Sequence, residues 1–187
     1  MLKYIHTVDK TLIDFIHHNL RNPLFDKLMP LITHLGDGGA IWIIISIILL
    51  FNKDYSHIGF LCLISLLLST VLTEGIIKNI VVERVRPIIR YPISDPLINI
   101  PKSFSFPSGH TSSSFAVATI LFILLPQYKI IPIVLALLIG FSRIYLYVHY
   151  PSDVFAGILV GILSAFIVIL GYNVIKSISF KQLDYVY

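Results

Sequence analysis

The sequence predicts an all-α protein: a polytopic transmembrane helix bundle of five to six spans, preceded by an amphipathic N-terminal segment. Two observations carry this expectation. Of the 187 residues, 56% are hydrophobic and only 13% charged, where soluble domains carry about 25% charged residues. The apolar runs approach the roughly 20 residues that cross about 30 Å of hydrocarbon, and prolines, glycines and charges collect between them. The chain reads as one domain over 1–187. Within it, 1–35 is an amphipathic or peripheral helical segment, 36–175 a transmembrane bundle, and 87–107 a loop on the functional face.

Taken in order, residues 2–35 place Leu12, Ile16, Leu20 and Leu24 at helical spacing among charges, the pattern of a helix lying at a membrane interface. A polar first span shielded by its neighbours fits the same residues. Because Asp9, Lys10, Asp14 and Arg21 interrupt it, no cleavable signal peptide is expected. Asp37-Gly38-Gly39 is a break, and 40–51 is apolar but short. Residues 57–80 form a firm span, with Glu74 and Lys78 in its last turns. The stretch 87–107 holds five of the ten prolines and is not a regular helix. Spans follow at 109–125, 130–148 and 154–175, broken by Pro126–Lys129 and by Pro151, and the tail from Lys176 is polar. The single cysteine, Cys62, lies in an apolar run and forms no intrachain disulfide; a buried thiol is expected.

Span parity brings three polar clusters to one face. Lys78, Arg84 and Arg86 end one span; Ser108, Gly109 and His110 open the next; that helix leaves, and the following one returns Arg143 and His149. Each cluster alone has a plain reading. Cations at span ends snorkel to headgroups, a serine before a helix is an N-cap, and Arg143 with Asp153 makes a structural pair. Each also has a chemical reading. A helix N-terminus suits a phosphate. Gly109 lets an anion approach the backbone, and Ser108 either caps the helix or bonds the phosphate. Arg143, costly in hydrocarbon, faces a polar cavity or a partner. Asp153, in the first turn after Pro151, is placed to accept one ring N–H of His149 and leave the other nitrogen free to attack.

Other residues are read more plainly. His6, His17, His18, His34 and His57 are solvent-facing, Glu83 and Arg84 form a surface pair, Glu74 bonds a neighbouring helix, and Tyr145, Tyr147 and Tyr150 belong to an interfacial aromatic belt. No carboxylate cluster suits Mg²⁺ and no His/Cys spacing suits zinc, so no metal or other cofactor is expected. Lys78, Arg86 and Arg143 then supply the charge for phosphoryl transfer. The net charge of +4 and pI near 9.2 suit anionic headgroups or phosphates. They are too small and scattered for nucleic acid, and nothing calls for an obligate protein partner.

Together the clusters resemble the type 2 phosphatidic acid phosphatase family. Pro107-Ser108-Gly109-His110 stands intact, as does Ser142-Arg143, five residues, His149, three residues, Asp153. The first motif departs: seven residues separate Lys78 from Arg86 where the family usually has six, which bears on the aim of Lys78. The resemblance implies that His149 attacks phosphorus and forms a phospho-histidine, that Asp153 orients it, and that His110 protonates the leaving oxygen. It implies that Lys78, Arg86, Ser108, Gly109 and Arg143 hold the phosphoryl group, that no divalent metal is needed, and that the site lies on the extracytoplasmic face of the cell membrane. Lys53, Lys129, Lys176 and Lys181, few on the other side, argue against that sidedness. The substrate implied is a lipid phosphate or pyrophosphate, phosphatidylglycerophosphate or undecaprenyl pyrophosphate foremost. Two other readings compete: a non-catalytic anionic-lipid-binding or channel protein, and a phosphotransferase to a non-water acceptor.

Overall fold

A computed structural model describes residues 2–80 and 83–184, and every regular element among them is helical. Helix α1 spans Leu2–Asn19 and α2 Pro23–Leu35. Asn22 caps α2 by accepting from the N–H groups of Leu24 and Phe25, and Pro23 sits where its missing N–H does no harm. A tight turn, Asp37–Gly39, leads into α3, Ala40–Leu50. Helix α4, Ser56–Thr70, widens into a π-type turn over Val71–Ile77 and ends in α5, Lys78–Ile80. One turn of helix, α6 (Pro87–Arg90), is the only regular piece among the described residues between α5 and Ser108. Helices α7 (Gly109–Leu124), α8 (Ile130–Tyr145) and α9 (Pro151–Asp184) complete the bundle.

Two helices are long and apolar enough to cross a membrane, Ser56–Ile80 and Pro151–Ile178. Helices α2 and α3, bent by 48° at their break, pass that test only together, as a broken span or a re-entrant loop, while α7 and α8 are shorter apolar helices. Two to three of the five to six expected spans are therefore clear by length and composition. The last helix starts at Pro151, which the sequence reads as its beginning, and runs on past 175 through the polar tail.

Helix α7 is the hub, packed against α4, α8 and α9. It is built from small residues: Ser112, Ser113, Ser114, Ala116, Ala118 and Thr119 are all buried. That suits a bundle in lipid, where close packing and interhelical hydrogen bonds replace the hydrophobic drive. Trp42 Nε1 donates to Ser114 Oγ at 2.9 Å and Ser65 Oγ to the Ala116 carbonyl at 3.2 Å. The tightest approach is α7 on α9. A Cβ on Gly157 would lie 2.7 Å from the Ser108 carbonyl oxygen, and one on Gly161 would lie 2.5 Å from that of Ser112. Spaced four apart, these two form the small-xxx-small face of a membrane helix pair. Large apolar side chains such as Ile48, Phe51, Leu67, Leu137 and Leu163 point outward, as expected where the solvent is hydrocarbon.

Two consequences are measurable. Gly161→Val forces the α7–α9 backbones apart, and this overpacking is expected to destabilise by about 1–3 kcal/mol. Gly171→Val, whose Cβ meets nothing within 4 Å, is expected to leave the melting temperature in detergent unchanged.

Candidate active site

The three polar clusters meet. One cavity of about 890 Å³ is lined by Lys78, Arg86, Gly109, His110, Arg143 and His149, together with Asp37, Glu74 and the loop residues Pro96–Asn99. Ser108 and Asp153 do not line it. Ser108 is fully buried, and its Oγ is the α7 N-cap, accepting from the Thr111 N–H and hydroxyl. Of its two sequence readings the structure shows the cap, because the first turn of α7 claims the hydroxyl. Gly109 opens the helix toward the cavity; a Cβ there would meet the Glu74 carboxylate at 2.4 Å.

Arg86 is buried and spends its N–H groups on the protein. Its Nε donates to the Ser103 carbonyl at 2.7 Å and its Nη2 to Ser103 Oγ and the Phe104 carbonyl. Its Nη1 donates to the Val148 carbonyl at 2.8 Å and faces His149 Nε2 at 3.0 Å. A guanidinium has no lone pair to offer. Nε2 of His149 must therefore accept, and the ring proton sits on Nδ1. Nδ1 points at Asp153 Oδ2 from 3.6 Å and has no hydrogen-bond partner among the described residues. The hydrogen bond expected between Asp153 and His149 is thus replaced by a longer approach, and Arg86 selects the tautomer. Burial, with the charges of Arg86 and Arg143, pushes His149 down to about 3 against the opposing Asp153.

Asp153 is held by other groups. Its carboxylate accepts from Arg84 Nη1 and Ser105 Oγ, each at 2.5 Å, and from the Tyr150 N–H at 2.8 Å. Arg84 also donates to Ser152 Oγ and, at 2.5 Å, to Asp9 Oδ2 of α1, and its guanidinium stacks 4.1 Å over Tyr150. Asp9 in turn accepts from the Ser152 N–H and hydroxyl. The expected Glu83–Arg84 surface pair therefore gives way to a buried bridge from the N-terminal helix to Asp153. Nor do the three tyrosines form a belt. All are buried, with Tyr145 donating to Asp26 and Tyr147 to Asp14, so they tie α1 and α2 to the turn that carries His149. Tyr147 sits at φ 62°, a left-handed conformation uncommon for a bulky residue.

Lys78, just after the π turn, is buried at the cavity and donates to Glu74 Oε1 at 2.6 Å. Glu74 thus bonds within its own helix rather than to a neighbouring one. Arg143 donates to Thr33 Oγ1 at 2.5 Å, while its Nε is buried without an acceptor among the described residues. A buried guanidinium N–H with no acceptor is a donor available to an anion. His110 Nε2 lies 2.8 Å from Asp37 Oδ1. His34 is exposed, as the sequence predicts, but is paired at 2.7 Å to the other oxygen of Asp37. Sequence reasoning missed Asp9, Asp37 and the role of Arg84; an acidic residue inside an otherwise amphipathic or glycine-rich stretch was the available signal. Among the described residues no three His, Cys, Asp or Glu side chains gather as a metal ion would require.

Residues 59–176 match the PAP2 superfamily. The chain belongs to that family. It is 33% identical over 166 residues to phosphatidylglycerophosphatase B of Bacillus subtilis, covering 80% of this chain and 76% of that one. It is 34% identical to the undecaprenyl-diphosphatase of Sulfolobus acidocaldarius, covering 65% of this PAP2 chain and 58% of the relative. The crystal structure of a transmembrane PAP2-type phosphatidylglycerolphosphate phosphatase from Bacillus subtilis superposes with a TM-score of 0.71 at 30% identity, over 91% of this chain and 86% of that one.

The buried state of His149 has a sign that can be tested. The folded protein keeps it neutral, whereas the unfolded chain takes up a proton below about 6.5. Its contribution therefore erodes stability as pH falls from about 6.5 toward 3. Between pH 7 and 5 wild type is expected to lose about 2 kcal/mol more than His149→Gln, measured by thermal melting of both proteins in detergent.

Proposed function

We propose that this PAP2 protein is a lipid phosphate phosphatase that works through a phospho-histidine on His149. The observation that carries the reading is His149 Nε2 set 3.0 Å from the Arg86 guanidinium, on a ring that lines a cavity with three cations. A protein that only gathers anionic headgroups has no use for a buried neutral imidazole with its acceptor nitrogen turned to the anion site. At the coarser level its relatives support, the chain is a membrane hydrolase of lipid phosphates.

The chemistry follows from the contacts. A terminal phosphate enters the cavity and takes the free N–H of Arg143, the ammonium of Lys78 and the positive end of α7 at Gly109. Nε2 attacks phosphorus, and the N–P bond forms as the bond to the lipid oxygen breaks. Using up that lone pair releases the Nη1–H of Arg86, which turns to a phosphoryl oxygen. The Nδ1 proton stays on the ring, and its positive charge is offset by Asp153. His110 gives a proton to the departing oxygen. In the second half, water attacks phosphorus, gives its proton to His110 and frees His149. The cations and helix N–H groups carry the charge stabilisation, so the reaction uses no divalent metal.

Two substrates fit best, phosphatidylglycerophosphate and undecaprenyl pyrophosphate, because the relatives named for those activities are 33% and 34% identical to this chain. The proposed topology treats α7 and α8 as crossing helices beside the two clear spans and the broken pair. That makes five spans, with α1 at the interface and the cavity on the extracytoplasmic side.

The deciding experiment uses purified protein in detergent with phosphatidylglycerophosphate, undecaprenyl pyrophosphate and phosphatidate, with and without chelator. Phosphate release is expected to be chelator-insensitive. His149→Ala is expected to lower it by about 10³-fold or more and to abolish an acid-labile phosphoenzyme trapped from labelled substrate. Undiminished turnover in His149→Ala would remove the reading.

A further inference from the structure

His110 is held from behind by a carboxylate that the family motifs do not include. Its Nε2 lies 2.8 Å from Asp37 Oδ1, and the second oxygen of the same carboxylate lies 2.7 Å from His34 Nδ1. A carboxylate only accepts, so the Nε2 proton of His110 is fixed on Asp37. Nδ1 is then the ring nitrogen left for a reacting atom. The backbone is shaped for this contact. The 48° bend between α2 and α3 falls at residues 36–39. A Cβ on Gly36 would lie 2.9 Å from His110 Cδ2 and 3.0 Å from Ile139 Cγ2, so only glycine lets the bend come so close to the ring. Asp37 caps neither flanking helix with its side chain; both its oxygens go to imidazoles.

The charges around the ring explain why a carboxylate is needed there. Arg143 of α8 and Arg86 of the loop face His110, and the Lys78–Glu74 pair lies beyond Gly109. A second proton on this ring therefore sits among guanidiniums, and Asp37 is its one bonded counter-charge among the described residues.

We propose that Asp37 is a positioning residue for the acid–base step, orienting His110 through Nε2–H and stabilising the imidazolium that donates from Nδ1 to the departing oxygen. The proton moves from Nδ1 to that oxygen as the P–O bond breaks, and it returns from the attacking water. The inference rests on the phospho-histidine reading, and its test separates the two.

First-turnover rates are measured for a lipid phosphate, whose alkoxide must be protonated, and for 4-nitrophenyl phosphate, whose leaving anion needs no proton. Asp37→Asn is expected to slow the lipid turnover by about 10–100-fold with KM unchanged, while the nitrophenolate burst keeps its wild-type rate. Asp37→Glu is expected to restore part of the loss, and Asp37→Ser is read the same way should the asparagine variant not fold. Equal slowing of both substrates, which marks a packing role, or no slowing of either would overturn the proposal. His149→Ala serves as the control for the parent reading. If it retains both bursts, both readings fall; if it abolishes them while Asp37→Asn turns over lipid normally, only this one falls.

Discussion

The contact on which the catalytic end depends is the one between the Arg86 guanidinium and Nε2 of His149. It does three things at once. It selects the ring tautomer, since a guanidinium can only donate. It fastens the loop at Ser103 and Phe104 to the turn at Val148. It also keeps a cation against the nitrogen proposed to attack. Arg86 brings charge to the cavity rather than spare N–H groups. Free donors come instead from Arg143, whose span position would be costly without an anion or a polar wall. The two arginines thus differ in role, one fixing the His149 ring and the other left with a free N–H among the described residues.

Asp153 shows the same economy of roles. Its carboxylate accepts from Arg84, Ser105 and the Tyr150 N–H before it reaches His149. Breaking such a buried network by removing one partner is expensive, because the remaining charge is left unpaired. Through Arg84 the network extends to Asp9, and through Tyr145 and Tyr147 to Asp26 and Asp14. The N-terminal helices are therefore part of the site's foundation and more than a membrane-surface accessory.

The helical class, the break at residues 37–39, the long span ending at Lys78 and the meeting of His110 with His149 were legible in the sequence, because apolar periodicity and span parity act over many residues. What stayed hidden was decided by single side chains reaching across the bundle. Arg84 beside Glu83 looks like a surface pair until α1 brings Asp9 to it. Tyr145, Tyr147 and Tyr150 look like an aromatic belt because spacing along a turn says nothing about which way the turn faces. Length and composition alone mark fewer spans than the sequence predicts because α7 and α8 are short: at 16 residues each they rise about 24 Å. The Gly157–Gly161 spacing was available in the sequence as a packing signal, and the extra residue between Lys78 and Arg86 did not keep Lys78 from the cavity.

The main-chain bond from the Ser108 N–H to the Asp153 carbonyl, 3.0 Å long, joins the start of α7 to the start of α9 just where Gly157 lets the two backbones touch. One histidine follows the first of these residues by two positions, and the other precedes the second by four. Both imidazoles are therefore mounted on a single stiff block, with their separation set by peptide geometry. The two rings therefore line one cavity without any shift of α7 against α9 to bring them together.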